Sequence, residues 1–446
     1  MISRRVFLQG MSLMAISALF PTIGRSSVDI STIEFDSNIY NNNQAQTIII
    51  YLYGGASELG GNLTNIEEIQ TKSQNKYYLN DLTKTENNFW EQAGGKEMEE
   101  MLSAGDMNIF RTCYRKANTT KSHGECTAEN QRGRMNKLEP DAGAGIIATL
   151  SDILYKKGVV TSDSKLPFLT MEGESNFFAI GDLNLPSFLR PSALNENLSN
   201  PYERRKIYET YQRDEWNSDP RPKDSDLSIK FDEMAKEING ESKIQDAFDK
   251  RATLDNFITN IGSKELPEGI SYDNNTFAKK LKVAVTVLAN NPDTKIISIG
   301  SGGLGGWDDH SDAVRNYSNR MKRLMSAIKD AISHAKALNK DNINIIVFAE
   351  FGRNVNLNDA EGWDHGNNQN VYIFGGKRYF NHLGVVGETE LEPMGSNHRL
   401  YLKPKDNSYW FEPYSIAATI YKMYGIKNPE VLTGGYDAID AGLFKV

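Results

Sequence analysis

Thr47-Ile48-Ile49-Ile50-Tyr51-Leu52-Tyr53-Gly54-Gly55-Ala56-Ser57-Glu58 is the stretch on which the fold turns. Its first seven residues run apolar without polar alternation. A strand apolar at successive positions needs cover on both faces, the pattern of a parallel sheet enclosed between helices. Two glycines end the run, where missing side chains let the backbone turn sharply. Open α/β sheets bind ligands outside the carboxyl ends of their strands. Ser57 and Glu58 therefore begin the set of candidate site residues.

Outward from this run the pattern repeats. Met107-Asn108-Ile109-Phe110-Arg111 predicts a second strand, leading into Lys121-Ser122-His123-Gly124-Glu125, and residues 141–156 read as a helix of small residues. Leu166-Pro167-Phe168-Leu169 starts another strand. Lys295-Ile296-Ile297-Ser298-Ile299-Gly300 is a strand followed by a glycine-rich turn. Residues 311–338 carry apolar side chains at helical spacing, among them Leu324, Ile328 and Ile332. Residues 343–348 and 371–374 predict two more strands, and 415–424 an amphipathic helix. Strands alternating with helices favour a mainly parallel sheet with right-handed crossovers. Between about 190 and 280 the chain turns rich in Lys, Glu, Asp and Asn, which predicts a mostly helical insertion within one domain spanning 45–446. The asparagine-rich residues 28–44 read as a linker.

At 446 residues and 39% hydrophobic content, the chain can bury a large core. A formal charge of −8 leaves no basic surface for nucleic acid. That balance still allows a small anionic ester held by metal ions. Ser3-Arg4-Arg5-Val6-Phe7-Leu8, followed by a modest apolar stretch over 11–20, looks like a twin-arginine export signal over residues 1–27. A general secretory signal and an uncleaved anchor are the other readings. The apolar stretch is too short and interrupted for a transmembrane helix, which needs about 20 apolar residues. The expected partner is the twin-arginine translocation machinery, and the expected location is the periplasm or beyond. That route carries folded proteins, which suits a protein loaded with metal before it leaves the cytoplasm. Only Cys113 and Cys126 are present. They form either a disulfide worth about 3 kcal/mol that fixes the loop at His123, or hold one catalytic thiol.

Three of the six histidines lie in short glycine-flanked acidic tracts: Gly305-Gly306-Trp307-Asp308-Asp309-His310, Trp363-Asp364-His365-Gly366, and the segment around His123. Asp308 and His310, two residues apart after a strand and turn, can point the same way and supply one oxygen and one nitrogen ligand, with Asp309 facing away. An exposed acidic turn is the other reading. Asp364-His365 repeats the pair, or is a loop histidine bonded to its neighbour. Glu350 ends a buried apolar strand, where a lone charge is costly unless it is paired or metal-bound. Arg353 is either its ion-pair partner or a fork that clamps a tetrahedral anion. His334, His382 and His398 read as packed or solvated. No Gly-Lys-Ser/Thr loop and no Gly-x-Ser-x-Gly elbow is present.

Gly54-Gly55-Ala56-Ser57, Ser122-His123, Gly305-Gly306-Trp307-Asp308-Asp309-His310, Glu350-Phe351-Gly352-Arg353 and Asp364-His365-Gly366 resemble, in this order over residues 45–425, the motifs of the bacterial domain-of-unknown-function 1501 proteins. That resemblance implies the neighbourhood of the alkaline phosphatase and sulfatase superfamily. The implied fold is an alkaline-phosphatase-like three-layer α/β/α sandwich with a mainly parallel central sheet. It also implies a divalent ion (zinc, manganese, iron, magnesium or calcium) held by Asp308, His310, Glu350, Asp364 and His365. Glu58 stands where the first-strand acid is usual, and Phe351 replaces an expected histidine. The implied catalytic set is Ser122 or Thr127 as nucleophile, with His123 and Arg353. Cys126-Thr127-Ala128 does not match the sulfatase nucleophile signature. The expected function is an exported metal-dependent hydrolase of phosphate or related esters on small-molecule substrates. The competing expectation is a non-catalytic exported binding or surface-assembly protein with a degraded site.

Overall fold

The computed structural model describes residues 32–136, 143–173, 175–196, 198, 256–393 and 398–445. The export signal and most of the expected insertion lie outside these residues. In chain order the elements that build the domain are α1 (Ser37–Asn43), β1 (Gln46–Leu52), α2 (Ile66–Lys72), α3 (Gly95–Ser103), β2 (Met107–Tyr114), α4 (His123–Arg132), α5 (Ile146–Lys156), β3 (Phe168–Thr170) and β4 (Ser192–Ala193). They continue with α6 (Thr276–Asn290), β5 (Ile296–Gly300), α7 (Ala313–Ala337), β6 (Ile343–Ala349), β7 (Gly352–Arg353), β8 (His365–Gly366), β9 (Asn368–Gly375), β10 (Val385–Val386) and α8 (Tyr414–Met423).

Eight strands form the central sheet in the order β10-β2-β9-β6-β1-β5-β3-β4. β1 lies at its heart, parallel to β5 and to β6. Strict alternation along β1 explains the two enclosing layers. Ile48, Ile50 and Leu52 join one apolar cluster with Met98 of α3, Leu281 of α6 and Leu324 of α7. Ile49 and Tyr51 join the other, with Leu150 of α5 and Ile420 of α8. The expected α/β/α sandwich with a mainly parallel sheet is the fold that forms. α7 buries Tyr317, Met321, Leu324, Ile328 and Ile332 along one stripe, as its periodicity predicts.

One strand runs the other way. β9, from the run expected over 371–374, pairs antiparallel with both β2 and β6. Its amino end therefore lies at the carboxyl edge of β1, β2, β5 and β6. This reversal delivers the residues just before β9 to that edge.

Residues 32–44, expected within a linker, instead dock on the domain. Tyr40 of α1 stacks on Tyr424, and Phe35 bridges to Ile426. An aromatic at position 40 supplies the apolar contact that the polar composition concealed. Cys113 and Cys126 are both free and buried, so no disulfide fixes the His123 loop. Among the described residues no helix is long and apolar enough to cross a membrane.

His334 is buried on α7, where its Nδ1 meets the Tyr272 hydroxyl at 3.1 Å. Burial, then the charge of Lys282, pushes its imidazole down to about 4. The unfolded chain takes up this proton near pH 6.5 and the native chain only near 4. Stability is therefore full above pH 6.5 and falls as the pH drops through that window. Wild type should lose on the order of 2 kcal/mol more than His334→Gln between pH 7 and pH 4, after allowance for solvent screening. Urea unfolding of both proteins across that range measures the difference.

Candidate metal centre at the carboxyl edge

Four chain segments leave the carboxyl edge of the sheet and meet there. After β1, Gly54 (φ +108°) and Gly55 (φ +77°) adopt left-handed backbone that glycine alone takes readily. A Cβ at Gly54 would stand 2.5 Å from the Asp308 nitrogen, so the turn after β5 packs directly on the turn after β1. The Trp307 N–H donates to the Tyr53 carbonyl at 2.9 Å and joins the two. After β6, Glu350 Oε1 accepts the Gly54 N–H at 2.8 Å. The short β7–β8 pairing sets Arg353 opposite His365.

α4 follows β2, and its last turn is pinned to strand ends by side-chain hydrogen bonds. Asn130 Nδ2 donates to the carbonyls of Ala349 and Glu350, each at 2.9 Å. Gln131 Nε2 donates to the Tyr53 hydroxyl at 2.9 Å, and Glu129 takes the buried Arg115 at 2.6 Å. The first residue of this helix, His123, thereby projects over the edge.

Three imidazoles converge on one carboxylate. The Nε2 atoms of His123, His310 and His365 lie 3.5, 3.0 and 3.4 Å from the Asp308 carboxylate oxygens. His310 Nε2 and His365 Nε2 are 3.2 Å apart. Donors on a tetrahedral ion at about 2.1 Å would sit about 3.4 Å from one another. One ligand atom each from His123, Asp308 and His365 falls within 4.8 Å of the other two.

The far nitrogens of His123 and His365 are hydrogen-bonded, and that of His310 lies near a carboxylate. His123 Nδ1 lies 2.5 Å from Glu350 Oε2, His310 Nδ1 3.4 Å from Asp364 Oδ1, and His365 Nδ1 2.8 Å from the Lys121 carbonyl. A carbonyl can only accept, so His365 Nδ1 carries a hydrogen, and in the neutral ring Nε2 is left with the lone pair that an ion would take. That is the arrangement in which an outer oxygen fixes the tautomer and orientation of an imidazole ligand. Burial, then the Arg353 charge, also pushes the His365 imidazole below its ordinary value, favouring the neutral ligand form. Asp308 is lowered too: burial opposes it, but the hydrogen bond and charge of Arg353 outweigh burial.

The remaining candidates occupy other places. Both Glu350 oxygens are engaged, one by Gly54 and one by His123, so Glu350 stands behind an imidazole and outside the ligand cluster. Asp364 is likewise behind His310, with its second oxygen 2.9 Å from Arg399. Asp309 faces away, as expected, and pairs with Arg320. Glu58 is 1% exposed, and its Oε2 accepts the Arg353 backbone N–H at 3.1 Å. Burial pushes its carboxyl up to about 8. It is not in the cluster of ligand atoms. Arg353 is neither the partner of Glu350 nor a free anion clamp. Its Nε donates to the Gly55 carbonyl at 2.7 Å, Nη1 to Trp363 at 2.9 Å, and Nη2 to Gly54, Trp307 and Asp308. Phe351 packs its ring against His123 and His365, with centroids 5.0 and 4.5 Å apart. Ser122 is the exposed N-cap of α4, its hydroxyl unused in capping, whereas Thr127 lies a turn inward beside Tyr51.

His123 was expected in the catalytic set, and its Nε2 belongs to the group of atoms that could hold an ion. Its sequence signal was the helix start after β2, which aims the first side chain outward from the sheet edge.

A three-layer α/β/α protein with histidines and a carboxylate gathered at the carboxyl edge of its sheet is the class defined by this fold and site. Residues 192–442 match the family described as Protein of unknown function (DUF1501), and the chain belongs to that family. No curated protein matches it. Among solved structures, the C-terminal periplasmic domain of EcEptC from Escherichia coli in complex with Zn aligns at 9% identity over 92% of this chain and 94% of that one, with TM-score 0.39. The phosphonate monoester hydrolase SpPMH from Silicibacter pomeroyi aligns at 14% identity over 89% and 77%, with TM-score 0.35. Likeness at that level carries no argument about this chain's chemistry.

Gly54→Ala should cost about 2 kcal/mol or more, because its Cβ meets the Asp308 backbone while the residue is held at strongly positive φ. Guanidinium unfolding against wild type checks this, with Ala56→Gly in the same turn as a comparison that should cost less.

Proposed function

We propose that this chain is an exported metal-dependent hydrolase of phosphate or related esters. The observation that carries the reading is the convergence of three imidazole Nε2 atoms on the Asp308 carboxylate, with His123 and His365 hydrogen-bonded from behind by an oxygen. The donor set fits an ion. Neutral nitrogen donors with one carboxylate suit zinc, manganese or iron better than magnesium or calcium, which prefer all-oxygen sites. His123, His365 and Asp308 would hold it, with His310 Nε2 beside them, 3.2 Å from His365 Nε2. A bound divalent ion supplies positive charge beside the ester oxygens and makes a nearby hydroxyl or water more acidic.

The chain's own residues supply the rest. Glu350, Asp364 and the Lys121 carbonyl orient the imidazoles and keep each Nε2 directed at the centre. Arg353 holds Asp308 ionised. The open amino end of α4 offers backbone N–H groups and a favourable dipole to an anion. Ser122, at that end and exposed, is the better-placed hydroxyl for attack on the ester, because Thr127 is turned toward Tyr51.

Metal analysis of protein purified without chelator, followed by a panel of phosphate and sulfate esters, tests the proposal. Chelator-sensitive hydrolysis of at least one ester is expected. Bound metal without hydrolysis would favour the non-catalytic binding or surface-assembly reading, toward which Phe351 in place of a ligand points. Glu350→Gln should weaken metal binding by roughly 10–100-fold while the fold is kept, since the amide still accepts from Gly54 but orients His123 less strongly. Competition with a coloured chelator reads that change.

Export through the twin-arginine machinery is part of the same proposal and rests on Arg4-Arg5. Replacing both with Lys should leave the protein in the cytoplasm. Undiminished accumulation outside would point to the general secretory route.

A further inference from the structure

We infer that the site takes a single divalent ion, with the Arg353 guanidinium permanently filling the place beside Asp308 that a second cation would need. This rests on the metal-centre reading proposed above. Arg353 is 1% exposed. Its Nη2 stands 2.5 Å from Asp308 Oδ1, its donors reach the carbonyls of Gly54, Gly55, Trp307 and Trp363, and Nη1 also lies 3.5 Å from His310 Nε2. Carboxylate and backbone carbonyl oxygens are the ligands that hard divalent cations take. Here they are already committed to a guanidinium. A second divalent ion among them would meet that fixed charge at close range.

The carboxylate expected from the turn after β1 does not offer an alternative. Glu58 is turned to the backbone of Arg353, accepting its N–H at 3.1 Å, while the guanidinium of the same residue reaches Asp308. Arg353 shares Asp308 Oδ1 with His310 and His365, and Oδ2 faces His123 Nε2 at 3.5 Å. Asp308 is balanced by Arg353 and Asp364 by Arg399, while Glu350 adds one carboxylate behind His123.

The full chain, stripped with chelator and titrated with zinc chloride, gives the test by native mass spectrometry and calorimetry. Wild type should bind one ion per chain, Glu58→Gln also one, and His365→Gln at least a hundredfold more weakly. Two tightly bound ions in wild type, or loss of the ion in Glu58→Gln, would overturn the inference and leave the metal centre standing. Absence of any bound ion in wild type would remove the metal centre itself and this inference with it. Circular dichroism of each variant confirms that the counts come from folded protein.

Discussion

One buried guanidinium holds the functional edge of this protein together. Arg353 follows β6, yet its hydrogen bonds land on the turn after β1 at Gly54 and Gly55, the turn after β5 at Trp307 and Asp308, and the start of the β7–β8 pairing at Trp363. Three loops from separate parts of the chain thus share a single cation. A buried charge is tolerable only when its donors are satisfied, and here each is. The arrangement fixes where Asp308 can stand, and the three imidazoles are arrayed around Asp308. Lysine could not replace it, because a point charge on a flexible stem cannot reach acceptors spread across a plane.

The second tier of order is the set of oxygens behind the rings. Glu350 is the clearest case: its position at the end of an apolar strand makes it rigid, and it uses one oxygen on the Gly54 backbone and the other on His123. The carboxylate therefore reports the position of the β1 turn to an imidazole on α4. Asn130 returns the connection by tying α4 to the last carbonyls of β6. Strand, turn and helix are cross-braced, which is how loops at a sheet edge attain the rigidity of the sheet itself.

Much of this was legible in the sequence. The run from Thr47 to Tyr53 announced a strand covered on both faces because none of its positions could face water. Asp308, His310 and His365 stood out because acids and histidines recur after apolar runs. What stayed hidden was direction. Glu350 and Asp364 were expected as ligands, but adjacency to a strand end says nothing of whether a carboxylate faces an ion or the back of an imidazole. The reversal of β9 was missed as well. Its signal lay in the connection from β6, where about twenty residues carry motifs and no helical period, leaving no crossover helix for a parallel return. The aromatic Tyr40 docks a segment whose composition read as a linker, since one buried ring outweighs several polar neighbours.

The place of β1 at the centre of the sheet has a consequence for synthesis. Its two partners, β5 and β6, begin at residues 296 and 343. At the usual ≈5–20 residues per second, the nascent chain waits roughly 10–60 s after β1 emerges before either partner exists. Throughout that interval an uncharged segment of high β propensity, Ile48-Ile49-Ile50-Tyr51-Leu52, has both edges unpaired. Those edges must stay clear of other chains until then. Yield in a foreign host should then depend on chaperone supply and growth temperature more than on the stability of the finished molecule.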